Sequence, residues 1–172
     1  MNDLDEILAK ASAAIERTYF QLPRFGEDAV YRERVYCYEL YHQLRLRWSN
    51  KKFFLTAEVD KRGHHALQDY GVKYENPDFL IHDPGQMDNH AIIEVKHAEA
   101  QDGGIEKDLR TLSLFKHGVG YTRAIYLIYG YEADEAFLSG IKQMANALDI
   151  NGPIELWLHP DVGKLAEHVD NI

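Results

Sequence analysis

Residues 76–97 read NPDFLIHDPGQMDNHAIIEVKH, and the rest of the chain is best understood outward from them. Two apolar runs, FLI at 79–81 and AII at 91–93, flank the stretch DPGQMDN at 83–89, which is dense in turn-forming residues. This predicts two strands, 78–82 and 91–97, paired antiparallel around a loop. His82 then faces His90, Leu80 faces Ile92 and Asp78 faces Glu94. Side chains alternate along a strand, so Asp78, Glu94 and Lys96 share one face. Phe79, Ile81, Ile93 and Val95 share the other, towards the core. Opposed residues bring their Cβ atoms to about 4.5–5.5 Å, close enough for two carboxylates to repel strongly. A divalent cation gives the sheet a reason to hold them there, and hard oxygen donors suit Mg2+ or Mn2+. Lys96 adds a cation that can position a water and stabilise charge developing on a phosphate.

Upstream, helical spacing of Leu4, Ile7, Leu8, Ala11, Ala14 and Ile15 predicts a helix over 4–20, broken by the Pro23 segment at 21–26. A second helix is predicted over 27–48, with Val30, Cys37, Tyr41, Leu44 and Trp48 on one stripe. Glu27 and Asp28 would sit at its dipole-favoured start. A strand over 53–59 precedes the two already described. Downstream come a helix over 105–117, a buried strand over 123–131, a helix over 133–148, a strand over 154–159 and a short closing helix. The order αα-βββ-αβ-αβ-α implies one α/β (α+β) domain over 1–172, a mixed sheet with helices packed on it.

Composition agrees. With 172 residues and 45% hydrophobic side chains, the chain can bury a sizeable core and lacks the signature of disorder. No apolar run is long enough to span a membrane, the acidic start MNDLD is unlike a signal peptide, and the lone Cys37 suits a reducing cytoplasm. The net charge of −9 runs against a polyanionic partner. Its distribution is uneven, however: residues 1–62 hold 11 basic and 10 acidic side chains, and the excess acid lies beyond them. A nucleic-acid surface would therefore draw on Arg45, Arg47, Lys51, Lys52, Lys61 and Arg62, interleaved with Trp48, Phe53 and Phe54. A solvated basic face explains the same residues.

Pro77-Asp78, separated by fifteen residues from Glu94-Val95-Lys96, resembles the PD-(D/E)xK motif of the restriction-endonuclease-like nucleases. The predicted order over about 27–131, a helix, three antiparallel strands, a helix and a further strand, is similar to the core of that superfamily. The resemblance implies a Mg2+- or Mn2+-dependent nuclease hydrolysing phosphodiester bonds, with DNA preferred to RNA as substrate. Asp78, Glu94 and Lys96 would be catalytic. Asp78, Glu94, the Val95 carbonyl and a helix glutamate, here Glu39, would hold the metal. Glu58 competes with Glu39 as a further acid. Lys107 and Asp108 stand where many members carry accessory polar residues, and His64 is an accessory candidate for a phosphate contact. Cutting both strands of a duplex would favour a homodimer.

Blander readings stand beside these. Asp78, Glu94 and Lys96 alone would make an ordinary cross-strand salt bridge, Glu39 can pair with Gln43 one turn on, and His64 suits a solvated loop. No HxxxH pair or cysteine cluster points to zinc, and Cys37 reads as a small core residue. A non-catalytic nucleic-acid-binding or assembly module that keeps the fold is the alternative function.

Overall fold

The computed structural model describes residues 3–57, 76–86, 88–150 and 152–172. Helix α1 (Asp3–Ala13) carries Leu4, Ile7, Leu8 and Ala11 into the core, as their spacing requires. It stops at Ala13, and α2 (Arg17–Phe20) is a separate single turn, so the expected helix over 4–20 is two pieces. The larger correction follows. Instead of a helix from residue 27, strands β1 (Leu22–Arg24) and β2 (Glu27–Val30) form an antiparallel hairpin around Phe25-Gly26. Gly26 turns at φ +71°, a conformation glycine adopts without steric cost. Glu27 and Asp28 are thus strand residues, and α3 (Glu33–Arg47) begins six residues later than Glu27.

The main sheet has six strands in the order β3-β4-β5-β6-β7-β8 among the described residues. Strands β3 (Phe54–Ala57), β4 (Phe79–His82) and β5 (Asn89–His97) form an antiparallel meander. Helix α4 (Asp102–His117) carries the chain over to β6 (Arg123–Tyr129), which lies parallel to β5. Helix α5 (Glu135–Ala147), capped by the Asp134 carboxylate accepting from the Phe137 N–H, leads to β7 (Glu155–His159), again parallel. The chain closes with β8 (Glu167–Asn171), an antiparallel edge strand where a short helix was expected. The molecule is thus a mixed α/β structure with a mixed sheet between helices. Ile105, Leu109, Leu112 and Phe115 of α4 are buried as their spacing predicts.

Period-two alternation sorts the sheet into two cores. Phe79, Ile81, Ile93, Val95, Leu127 and Tyr129 pack with residues of α1 and α3. Leu80, Ile92, Tyr126, Ile128 and Leu156 pack with residues of α4 and α5. Each fully buried apolar side chain of this size contributes about 1.5–3 kcal/mol. Covering both faces leaves the motif residues inside the protein, where a half-exposed hairpin would have shown them to water. Gly130, at φ +134°, follows β6 because a Cβ there would lie 3.1 Å from that of Ala98 and 3.2 Å from the Tyr31 ring. The N- and C-terminal regions are joined where Ser12 Oγ accepts from the Ala166 N–H at 2.8 Å.

Candidate active site

The DPG turn forms as its sequence predicts: the Asp83 N–H donates to the Asp88 carbonyl at 3.0 Å, and β4 and β5 pair across it. Leu80 faces Ile92, as expected. His82 faces Asn89 instead of His90, because a bulge next to the turn leaves His90 out of register, stacked on the Phe53 ring at 4.8 Å. The slip is spent before the motif, since Phe79 faces Ile93 and Asp78 comes up beside Glu94 and Val95. The Val95 N–H donates to Asp78 Oδ2 at 2.8 Å, which pins that carboxylate against the strand.

Glu94 is buried and partly buried Asp78 adjoins it. Burial above all, and the charge of Glu33, push the Asp78 carboxyl up to about 7, partly offset by the Val95 hydrogen bond. Burial and the charges of Asp78 and Asp108 push Glu94 well above the carboxylate range. Near neutral pH such a pair retains a proton that two solvated carboxylates would have lost. Lys96 lies next along the same face. Its ammonium bridges Glu33 Oε2 at 2.8 Å and Asp108 Oδ2 at 2.9 Å. Burial opposes that positive charge, but Asp108 and Glu33 outweigh it and hold the group protonated. The buried Tyr126 hydroxyl, on β6 beside Glu94, donates to Asp108 Oδ2 at 3.3 Å. Burial also raises the Cys37 thiol, with the charges of Asp78, Glu33 and Glu94 adding to it, and Cys37 packs in the core.

Sequence reasoning put Asp78, Glu94 and Lys96 on one face of the hairpin and set Asp108 with Lys107 among the accessory polar residues. It missed Glu33. Glu39 stands about 9 Å further along α3 and roughly a third of a turn round it. There it accepts a hydrogen bond from Gln43 Nε2 at 2.7 Å, the bland pairing foreseen for it. Glu33 occupies the first turn of α3, one turn ahead of buried Tyr36 and Cys37, and so points where the buried stripe points. The signal was its spacing of three and four residues from Tyr36 and Cys37. Val95 meets Asp78 through its amide. Lys107 lies on α4, adjacent in sequence to Asp108. Glu58, Lys61, Arg62 and His64 lie outside the described residues.

A cleft of about 540 Å3 opens beside the cluster, lined by Tyr31, Arg32, Glu33, Lys96, His97 and Gln101 among others. The described basic candidates are not in it. Arg45 and Arg47 end α3, on the order of 20 Å from Glu33 at 1.5 Å per residue. Arg47 bonds to Gln43, and Lys52 pairs with Asp88 beyond the opposite end of β5 from Lys96.

Among the described residues, no group of three or more His, Cys, Asp or Glu is arranged to enclose a metal ion. Mg2+ does not require one, since it is commonly held by one or two carboxylates together with water and substrate phosphate. The buried Asp78–Glu94 pair, all oxygen and short of positive charge, fits that chemistry. Also among the described residues, no helix is long and apolar enough to cross a membrane. Comparison with protein-family models, curated proteins and solved structures gives no match.

Proposed function

We propose that this chain is a divalent-metal-dependent nuclease of the restriction-endonuclease-like kind, hydrolysing phosphodiester bonds, with DNA as the favoured substrate. The observation that carries this reading is the excess of acid in one buried place. Asp78 and Glu94 adjoin each other and feel the charges of their acidic neighbours, while Glu33 and Asp108 pair with the one Lys96, which lines an open cleft. Burying like charges opposes stability, and a cation taken up there would relieve the cost. The order α3, antiparallel β3-β4-β5, α4 and parallel β6 also supports it, because this is the core that the PD-(D/E)xK resemblance implies.

Asp78 and Glu94, with the Val95 carbonyl, would hold Mg2+ or Mn2+. The ion would polarise the phosphoryl oxygen and make water a better nucleophile at neutral pH. The protein's own groups do the rest. The Val95 N–H fixes the Asp78 carboxylate, and Tyr126 and Asp108 orient Lys96. The Lys96 ammonium, only partly exposed, holds a water or offsets charge on the phosphate in a site of low dielectric. Glu33, at the cleft edge, is placed to exchange its ion pair with Lys96 for substrate or solvent.

A second reading has one observation in its favour: Lys96 is already matched by two carboxylates, as in a structural ion cluster. In that case the chain is a non-catalytic nucleic-acid-binding or assembly module. Incubation of supercoiled plasmid, linear duplex, single-stranded DNA and RNA with Mg2+ or Mn2+, wild type beside Lys96→Ala, decides between them. Metal-dependent cutting lost in the variant is expected. A folded wild type that neither cuts nor binds Mn2+ better than Asp78→Ala would establish the second reading.

A further inference from the structure

The cleft beside the ion cluster is only partly used by the proposed reaction. Glu33 and Lys96 lie on the used side, tied to each other. Arg32, His97 and Gln101 line the rest and have no part in it. Arg32 is exposed, and among the described residues its guanidinium makes one hydrogen bond, a long one of 3.5 Å to the adjacent Tyr31 carbonyl. His97 Nδ1 is sealed from solvent with no partner. Gln101 is the N-cap residue of α4, yet its side chain caps nothing. The backbone around these groups is nevertheless fixed. The His97 ring stacks on Tyr31 at 5.7 Å, and the Tyr31 hydroxyl donates to Glu132 at 2.7 Å and accepts from the Tyr131 N–H at 2.9 Å. The Ala98 N–H donates to the Tyr129 carbonyl at 2.9 Å, and the Ala100 N–H to that of His97 at 3.0 Å, which orders the path to Gln101. Polar groups with little to bond thus converge on one cavity from the start of α3, the end of β5 and the start of α4, the arrangement by which a site fixes a ligand.

We infer that Arg32, His97 and Gln101 form a second phosphate subsite, which takes the phosphate adjoining the one that is cut. The inference rests on the nuclease reading and deepens it by adding a second point of hold on the substrate. The donor set selects an anion, since a guanidinium, a carboxamide and an imidazole all offer N–H groups. A planar guanidinium matches phosphate oxygens two at a time. The start of α4 stands at the same wall: a Cβ added at Gly104 would lie 3.9 Å from Lys96 Nζ, and one at Gly103 would meet nothing within 4 Å. Its leading N–H groups, bare of side chains, add to the pull on an anion. Alternation along β5 separates two roles. Lys96 turns to Asp108 on α4, and His97 turns the other way, on to Tyr31. The two side chains therefore serve different positions in the cleft, as successive phosphates of one strand require. With Arg32 and Lys96 against Glu33 and Glu99, the lining is neutral in a chain of net charge −9. Glu33 is taken up by Lys96, and Glu99 is exposed, where water and salt screen it.

Two assays on the full chain test this: cleavage kinetics on labelled oligonucleotides in Mn2+, and fluorescence anisotropy of the same oligonucleotides in EDTA across a salt series. Arg32→Met, and His97→Phe, which keeps a ring on Tyr31, should each raise KM about 10-fold and change kcat less than about 3-fold. In EDTA, Arg32→Met should bind about 10-fold more weakly and lower the slope of log K against log salt by roughly one. Arg32→Lys should keep the slope, since its charge still displaces a counterion. Strands ending in a 5′-phosphate or a 5′-hydroxyl tell the source of the group. Equal binding of both assigns an internal diester, and tighter binding of the phosphorylated strand, lost in Arg32→Met, assigns a chain end. Unchanged KM and slope in the variants, losses confined to kcat, or no binding by wild type would overturn the inference. The two readings fail separately. Cutting with KM and slope unmoved removes the subsite alone, and Arg32-dependent binding without cutting in Mg2+ or Mn2+ removes the nuclease alone.

Discussion

Two partly buried ionic clusters sit on this sheet, and they are built to opposite rules. At the start of β6, Arg123 faces Glu155 through two nitrogens, Nε at 2.7 Å from one carboxylate oxygen and Nη2 against the other, while Asp5 closes on the same guanidinium. Burial opposes the Glu155 charge, but Arg123 overcomes it and holds that carboxyl below its ordinary range. At the far end of β5, Glu33 and Asp108 pair with Lys96 while Asp78 and Glu94 adjoin each other, and burial holds Asp78, Glu94 and Asp108 above theirs. The first cluster is satisfied by what it contains. The second holds more acid than base, and the nuclease reading rests on that imbalance.

The contrast can be broken by substitution. Asp78→Asn keeps an oxygen to accept from Val95 but loses the charge. On the nuclease reading it should lower metal-dependent cutting by about 1000-fold or more while the melting temperature holds or rises slightly. Full cutting by this variant would end the assignment. Arg123→Met should do the reverse, leaving Glu155 and Asp5 without their cation. A loss of about 3 kcal/mol, or roughly 10 °C in melting temperature, is expected with activity per folded molecule unchanged. Calorimetry beside a cleavage assay reads both.

Smaller effects sharpen the picture. Glu33→Gln should cost about 10–100-fold in cleavage through misplacement of Lys96, the range usual for groups that orient a metal site. Glu39→Gln should cost less than about 3-fold, since its partner Gln43 can rearrange. Equal losses would restore the glutamate that the sequence favoured. The smallest expected signal is the pH dependence of stability without metal. Folded Asp78 titrates at about 7 against an ordinary 3.8, so the folded state holds the proton more tightly. The stability from this group is full below the ordinary value and is lost as pH rises towards 7. Glu155 has the opposite sign, its contribution present at neutral pH and lost as pH falls through its lowered folded value. In EDTA, wild type should therefore melt a few degrees lower at pH 8 than at pH 5, with the slope flattened in Asp78→Asn. Parallel slopes would show that Asp78 does not carry the effect.

The legible parts were those governed by local period and local turns. The DPG turn, the alternation of Phe79, Leu80 and Ile81, and the approach of Asp78 to Glu94 follow from one contiguous stretch. The helical stripe of α4 was equally plain, with Ile105, Leu109, Leu112 and Phe115 all buried. What escaped was set by distant packing. Residues 27–30 look like a helix start, with two acids leading an apolar series, yet they pair with Leu22–Arg24 as a hairpin. That error moved the start of α3 from Glu33 to residue 27. The closing strand β8 is mostly polar and gains its order from pairing with β7, which no local pattern announces.

The bridge from Glu33 through Lys96 to Asp108 joins α3, β5 and α4, and Tyr126 secures it from β6. During synthesis the three bridged residues leave the ribosome well before β6 does. The parallel pairing of β5 with β6, which fixes their positions, forms only after the α4 crossover is complete. A nascent or truncated chain that stops short of residue 123 thus carries its acids and its lysine as separate, hydrated side chains. On the nuclease reading, such a chain does not cut, and activity begins only once β6 has paired with β5.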